Sequence, residues 1–299
     1  MWLKKTAATG YLRNLTSPNR RYQETRREYL LCRDCEQILS RDEKLFAEQV
    51  FLPYHENASS VFLYGSWLRR FLAGFHWKIL VTRQADQYPD SASAIYVQVQ
   101  DELRRFLLGE SQTPGRAEFH IFFLDAVKDS THELLPKTNE YLARALDATP
   151  TYSDSGSAGV YGKLVKIMTM SFLSARDPQT ERWEGTEVFD DGQIRTPQRI
   201  ETISIGPFLE DRIKAVARAS SSLSDKQKKS LLETVRKNPE RFLASENVRV
   251  HSANGQLQKR LKDREMLRTA ISRTMKGRDR NQPCPCGSPM KFKKCCGRV

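Results

Sequence analysis

The sequence is short of the features that would declare an activity on their own. Apolar residues make up 39% of the chain, below the usual share, while charged residues reach 28%, so a core can form but some segments must stay solvated. Only one long apolar stretch exists, Val61 to Val81, and it carries Arg69, Arg70 and Lys78. A lipid-facing helix would bear such charges at roughly 3 kcal/mol each, so the stretch reads as a buried helix and no membrane span is expected. Met1-Trp2-Leu3-Lys4-Lys5 leads into polar residues rather than an apolar run with a cleavage site. No secretory signal is therefore expected, which points to the cytoplasm. Histidine is scarce: the five stand at 55, 76, 120, 132 and 251, none spaced with Cys, Ser or carboxylate in a catalytic pattern. His76 and His120 lie in apolar surroundings, where a satisfied core histidine is expected. No internal repeat is present.

Two nucleotide-handling motifs are incomplete. Gly156 to Leu164, GSAGVYGKL, suggests a phosphate loop. Its glycine spacing is one residue too long, and Leu164 stands where Ser or Thr should hold magnesium. Tyr64-Gly65-Ser66 resembles the entry to nucleotidyltransferase sites, but that chemistry needs paired carboxylates about a dozen residues later. His76-Trp77-Lys78-Ile79 offers none. Both segments read as local packing.

What the chain has in excess is positive charge. Of its net +13, Gln256 to Val299 carries +10, thirteen Lys and Arg against three Asp and Glu. Such a block attracts nucleic acid, ribosomal RNA or an acidic protein surface, or serves only to solubilise.

The 299 residues allow one large or two modest domains. The patterning predicts an α+β fold: a mainly helical body, a small mostly antiparallel sheet and a C-terminal zinc knuckle. Helices are expected over Glu36–Phe51, closed by Pro53, and over Ser60–Arg83 as the central core helix. Another is expected over Ala94–Leu108, although Ile95, Val97 and Val99 alternate as in a strand. Phe119–Leu124 reads as a buried strand, Asp154–Gly162 as a loop, and Val160–Leu173 as a strand or strand pair. Asp190-Asp191-Gly192 signals a hairpin between Val188-Phe189 and Ile194. From Pro207 the pattern is helical, over Phe208–Ala219, Ser224–Arg236 and Pro239–Ala244, with Ser224 as a cap and Pro239 in a first turn. Gln256–Lys276 is the last helix. Leu257, Leu261, Leu267, Ile271 and Met275 share a side with Arg264 and Arg268, so the stripe is a poor core face. These readings divide the chain into a helical region with a CxxC module (1–150), an α+β region (151–255), a basic helical linker (256–280) and a zinc module (281–299).

The six cysteines form a pair, Cys32 and Cys35, and a quartet, Cys284, Cys286, Cys295 and Cys296. In a reducing compartment such close spacing favours metal ligation over disulfides. The quartet places four thiols within thirteen positions of NQPCPCGSPMKFKKCCGRV, the donor number of a structural zinc site. Pro283 and Pro285 restrict the backbone at the first two ligands, and Gly287 permits a tight turn. Four thiolates leave a zinc site at net −2, which Lys291, Lys293, Lys294 and Arg298 partly offset, and Phe292 supplies the one sizeable apolar cover. Zinc contributes on the order of 10–16 kcal/mol to folding such small sites. Four cysteine ligands leave no open position for catalysis.

This tail resembles the SEC-C motif, associated with the C-terminus of the bacterial preprotein translocase ATPase and found as an appendage on many bacterial proteins. The pattern of Cys-Pro-Cys-Gly-Ser, Lys-aromatic-Lys-Lys and Cys-Cys-Gly falls on Cys284 to Gly297. Pro289-Met290 departs from it, where Gly and Lys are common. The resemblance covers about twenty residues and implies zinc binding and contact with a partner protein or ribosome. It does not imply the ATPase.

Cys32-Arg33-Asp34-Cys35 has half a zinc-site spacing. Its surroundings, REYLLCRDCEQILSRDEKLFAEQVF, resemble uncharacterised bacterial proteins related to HNH-type treble-clef modules. No Cys or His precedes Cys32, so the other metal half and the catalytic His of that pattern are missing. Three readings stay open: an incomplete zinc knuckle, plain buried thiols at a helix start, and a redox pair. The functional expectation is a non-enzymatic protein that docks to a partner protein, ribosome or nucleic acid through its zinc tail. The alternative is a nucleic-acid-processing enzyme derived from an HNH-like module.

Overall fold

The computed structural model describes residues 3, 6, 12–13, 21–22, 30–56, 58–82, 90–130, 133–152, 157–173, 181–202, 205–220, 224–274, 277–284, 288–295 and 297–298. The architecture is α+β, with antiparallel sheets and a largely helical remainder. Two compact units form, one from Met1–Asp125 and Leu135–Val248, the other from Ala126–Leu134 and Arg249–Val299.

In the first unit a short antiparallel pair, β1 (Leu12–Arg13) and β2 (Arg21–Tyr22), precedes α1 (Arg33–Phe46). α1 runs through a π turn at Ala47–Phe51 into α2 (Leu52–His55). Pro53 therefore does not close the helix. It sits in the first turn of α2, after the ladder has widened, where a missing N–H costs little.

The apolar run from Ser60 is also divided. β3 (Val61–Tyr64) exposes Val61 and Leu63 and buries Phe62 and Tyr64, the two-residue period of a strand. Gly65 is extended, at φ −115° and ψ −165°, and releases the chain into α3 (Ser66–Val81). The central helix is thus real but starts six residues later than the composition suggests. α4 (Asp90–Leu107) resolves the ambiguity at Ile95, Val97 and Val99. Ala92, Tyr96, Val99 and Leu103 are buried while Val97 is 58% exposed, a helical stripe rather than an alternation.

β4 (Glu118–Phe123), α5 (Thr138–Arg144), β5 (Leu146–Tyr152), β6 (Ala158–Leu164) and β7 (Ile167–Phe172) follow. Their strands make one antiparallel sheet in the order β4-β7-β6-β5. Every residue of β6 and the first five of β7 are buried. One face packs Phe119, Ile121 and Val160 with Leu68, Leu72 and Phe71 of α3 and Phe46 of α1. The other packs Phe122, Tyr161, Met168 and Met170 with Trp183 and Phe208. Cover on both faces explains why the strand pair within Val160–Leu173 is rich in apolar residues without a polar-out alternation, and why its Lys163, Lys166, Thr169 and Ser171 are buried. The turn joining β6 to β7 is two residues long, and Val165 takes φ +59° there.

β8 (Glu181–Glu184) pairs with a later strand, β10 (Arg199–Thr202). Between them β9 (Gly192–Arg195) pairs with β3, bringing Ile194 opposite Phe62. The hairpin expected at Asp190-Asp191-Gly192 is therefore not formed. Thr186 to Val188 bonds to the edge of β4 instead, through Ile121 N–H to Thr186 O at 2.8 Å and Val188 N–H to Phe119 O at 2.9 Å. Ile194 gains core burial, 1% exposed, while Phe189 stays 58% exposed.

Four helices end the fold: α6 (Ile205–Ser220), α7 (Asp225–Lys237), α8 (Pro239–Leu243) and α9 (Glu246–Thr274). Ser224 caps α7 in a reciprocal box with Gln227, and Pro239 opens α8, as their residue types predict. α9 begins at Glu246, well before Gln256, because Val250, Ala253 and Leu257 continue its buried stripe. In the second unit Asp129 receives Arg260 at 2.6 Å and Arg264 at 2.9 Å, one turn apart on α9. Arg264 interrupts the apolar stripe because it serves this pair. The side chains of Leu267, Arg268 and Ile271, and all of Met275, lie outside the described residues, as does the Pro18-Asn19 turn.

Candidate metal centre

The cysteine-rich tail belongs to the second unit. A 3-10 turn at Gly277–Asn281 leads into a small antiparallel contact, where Pro283 bridges Lys291. Cys284 N–H donates to Met290 O at 2.9 Å, and Phe292 N–H donates to Gln282 O at 2.9 Å. These reciprocal bonds tie the first cysteine segment to the second. Ser288 Oγ accepts from Met290 N–H at 3.2 Å inside the loop between them.

A second turn, Phe292–Lys294, sets the far side. Cys295 N–H and Gly297 N–H both donate to Phe292 O, at 3.0 and 2.8 Å. Arg280 Nη2 reaches back to Gly297 O at 2.8 Å. Phe292 is 1% exposed and Cys284 4%, so the expected apolar cover is in place. The knuckle thus brings Cys284 and Cys295 to the two arms of one hairpin, while Cys286 and Cys296 lie outside the described residues. Lys291, Lys293, Lys294 and Arg298 are exposed around it. Sequence reasoning missed Gln282 and Arg280, which hold the arms through backbone carbonyls that no spacing rule reveals.

A thiol that is 4% exposed on a hairpin arm suits a soft divalent ion, since thiolates select zinc over hard cations. Residues 280–298 match the SEC-C motif model. The SEC-C motif is of the zinc-binding type, and its match confines the likeness to the tail. No curated protein and no solved structure matches the chain.

Elsewhere, the singled-out residues take other roles. Gly162 of the suspected phosphate loop lies in β6, where a Cβ would stand 2.4 Å from Phe75. The glycine lets α3 approach the sheet. Tyr64 Oη accepts from Phe189 N–H at 3.3 Å, a packing contact. His76 is fully buried, with Nδ1 3.0 Å from Ser171 Oγ and Nε2 2.8 Å from Thr169 Oγ1. Burial pushes its pKa down to about 3, so the ring is neutral at pH 7. His120 lies between Thr186 Oγ1, at 2.9 Å, and Glu118 Oε1, at 2.7 Å. His132 lies outside the described residues.

Cys32 stands at the N-cap of α1 and is exposed, and Cys35 follows in its first turn, half-buried. Among the described residues no group of three or more Cys, His, Asp or Glu is arranged to hold a metal, and no helix is long and apolar enough to cross a membrane. The SEC-C match does not extend to the region around Cys32.

Proposed function

We propose that the SEC-C tail holds one zinc ion through Cys284, Cys286, Cys295 and Cys296 and serves as a docking element for a polyanionic partner, such as a ribosome or nucleic acid. The carrying observation is the hairpin that binds the Cys284 and Cys295 arms together, ringed by exposed Lys291, Lys293, Lys294 and Arg298. Zinc, when bound, supplies a cross-link between the two arms, with no chemistry on a substrate. The chain's own residues do the rest. Phe292 shields the hairpin interior, Gln282 and Arg280 fix the arms, and the four cations stand outward where phosphates can reach them. The basic α9 adds exposed Lys259 and Lys262.

The non-enzymatic reading rests on the exclusively structural character of a four-thiolate site. It assigns no chemistry to the body of the chain. Metal analysis of the full-length protein tests the zinc claim: one zinc per chain is expected, lost in Cys295→Ser with Cys296→Ser. Retention of full zinc in that variant overturns the ligand set. Partner capture at rising salt tests the docking claim, because phosphate contacts weaken steeply with ionic strength. A salt-insensitive complex points instead to a protein surface.

A further inference from the structure

The Cys32–Cys35 pair lies outside the docking tail, and its setting is not that of two inert thiols. Cys32 occupies the N-cap of a fourteen-residue helix with φ −69° and ψ 166°. The turn behind it is closed by Glu36 N–H donating to Cys32 O at 3.0 Å. Cys35 is three residues on, the spacing that puts two side chains on one helix face about 5–6 Å apart between Cβ atoms. The two thiols are in hydrogen-bond contact, and since a disulfide needs Cβ atoms about 3.5–4.5 Å apart, closing the bond takes a tightening of this turn by about 1–2 Å.

The two thiols are not equivalent. Cys32 is exposed and Cys35 is half-buried. The backbone N–H of Cys35, then its thiol, favours the Cys32 thiolate and draws its pKa below the ordinary cysteine value, against a smaller opposing effect of desolvation. The same contact, together with burial, pushes the Cys35 thiol up. One thiol is therefore accessible and activated, and its neighbour is held protonated behind it.

Both cysteines line a cavity of about 240 Å³. Its walls are mainly apolar, from Leu30, Ile38, Trp77 and Leu107, with Arg104 as the charged lining residue. Leu30 and Ile38 are 37% and 38% exposed, so the mouth is open beside the thiols. A cavity of this size accepts one large apolar side chain.

The geometry points to a dithiol exchange site, in which Cys32 attacks a disulfide in a partner polypeptide whose neighbouring apolar side chain enters this cavity. The Cys32 thiolate attacks one sulfur of the substrate disulfide, the S–S bond breaks, and the departing thiolate takes up a proton. Cys35 then gives up its proton and attacks the Cys32 sulfur of the mixed disulfide, expelling the second substrate sulfur as a thiolate. The substrate disulfide is reduced to two thiols, and the two electrons come from Cys32 and Cys35, which end as an internal disulfide. An external thiol, such as glutathione, restores the pair by the reverse exchange.

The test uses the full-length, metal-loaded protein equilibrated across glutathione mixtures, quenched with an alkylating agent and cleaved after glutamate. Cleavage after Glu28 and Glu36 releases residues 29–36 with both cysteines and none from the tail. The expected result is a transition of this peptide from doubly alkylated to internally bridged. Cys35→Ser should trap a stable glutathione adduct on Cys32, and Cys32→Ser should form its adduct on the order of tenfold more slowly near neutral pH. Ile38→Asp, at an exposed wall, should slow exchange with a disulfide peptide bearing a neighbouring Phe while leaving glutathione exchange unchanged. A peptide that stays doubly alkylated throughout, or equal rates in the two serine variants, overturns the dithiol site. So does loss of a second zinc equivalent in Cys32→Ser with Cys35→Ser, which identifies a metal site. An Ile38→Asp variant with unaltered peptide preference overturns the assignment of the cavity.

Discussion

Gly297 leaves no room for a side chain above Phe292: a Cβ at 297 would lie 2.6 Å from the ring and 3.0 Å from the Phe292 carbonyl oxygen. One of these atoms can swing away only by uncovering the knuckle, and the other is backbone. The Cys-Cys-Gly ending is thus a packing requirement as well as a motif. Gly297→Ala is expected to push Phe292 outward and disturb the Gly297 N–H to Phe292 O bond of 2.8 Å. Competition with a zinc chelator should show weaker retention in Gly297→Ala, with helix content by circular dichroism unchanged. Equal retention would falsify the claim that Phe292 covers the site.

His76 predicts a specific acid sensitivity. Its folded pKa is depressed to about 3 by burial, against an ordinary 6.5. Between those values the unfolded chain binds a proton that the folded chain refuses, so stability falls as pH drops through this window. The limiting loss is on the order of 5 kcal/mol. His76→Gln keeps an amide near Ser171 and Thr169 but does not titrate. Denaturant melts from pH 7 to pH 4 should show a shallower decline in the variant, and an unchanged slope would assign the acid sensitivity elsewhere.

What was legible in the sequence was local. The SEC-C tail could be read because its cysteines lie within thirteen positions and the spacing itself carries the meaning. Ser224 and Pro239 were readable because caps depend on a single turn of chain. β3 was hidden inside an apolar run because its four residues were absorbed into the longer helical pattern of α3. Asp190-Asp191-Gly192 misled for another reason: strand partners are chosen by burial across the fold, and β9 finds Phe62 in β3, far upstream. Arg264 looked like a flaw in a stripe until Asp129, 135 positions earlier, supplied its partner. The cavity beside Cys32 likewise needs Trp77 and Leu107 from two later helices.

Lys163 makes the opposite end of the pH scale informative. It is 1% exposed in β6 and donates to the carbonyls of Leu142, at 2.8 Å, and Val165. Burial draws its pKa down to about 7, with Asp147 pulling the other way. From there to the ordinary 10.5 the unfolded chain binds the extra proton, so stability should rise with pH across that window. Tyr141 and Tyr161 share a 2.6 Å hydrogen bond, and burial raises both above the ordinary tyrosine value. Their unfolded forms ionise first, so stability should turn downward above about pH 10. Lys163→Met is expected to remove the rise and leave the fall. A maximum that persists in the variant would show that other groups set it.

Asp147 and Arg212 join α6 to β5 by a two-pronged ion pair, Nε to Oδ2 at 2.7 Å and Nη2 to Oδ1 at 2.5 Å. The Asp147 side chain is 6% exposed and also accepts from Tyr141 Oη at 3.1 Å. Removing the guanidinium leaves a buried carboxylate with the Tyr141 phenol as its other side-chain donor among the described residues. Arg212→Ala is therefore expected to cost about 3–5 kcal/mol, the usual penalty for breaking one half of a buried pair. Asp147→Asn by itself should cost less, because an amide carries no charge to strand. Combined with Arg212→Ala it should recover part of the loss, since the two residues act as one unit. Urea midpoints of the three variants decide the point. Additive losses would mean that the pair contributes no coupling and that α6 is held by Ile213 and Val216, its buried contacts beside Tyr141.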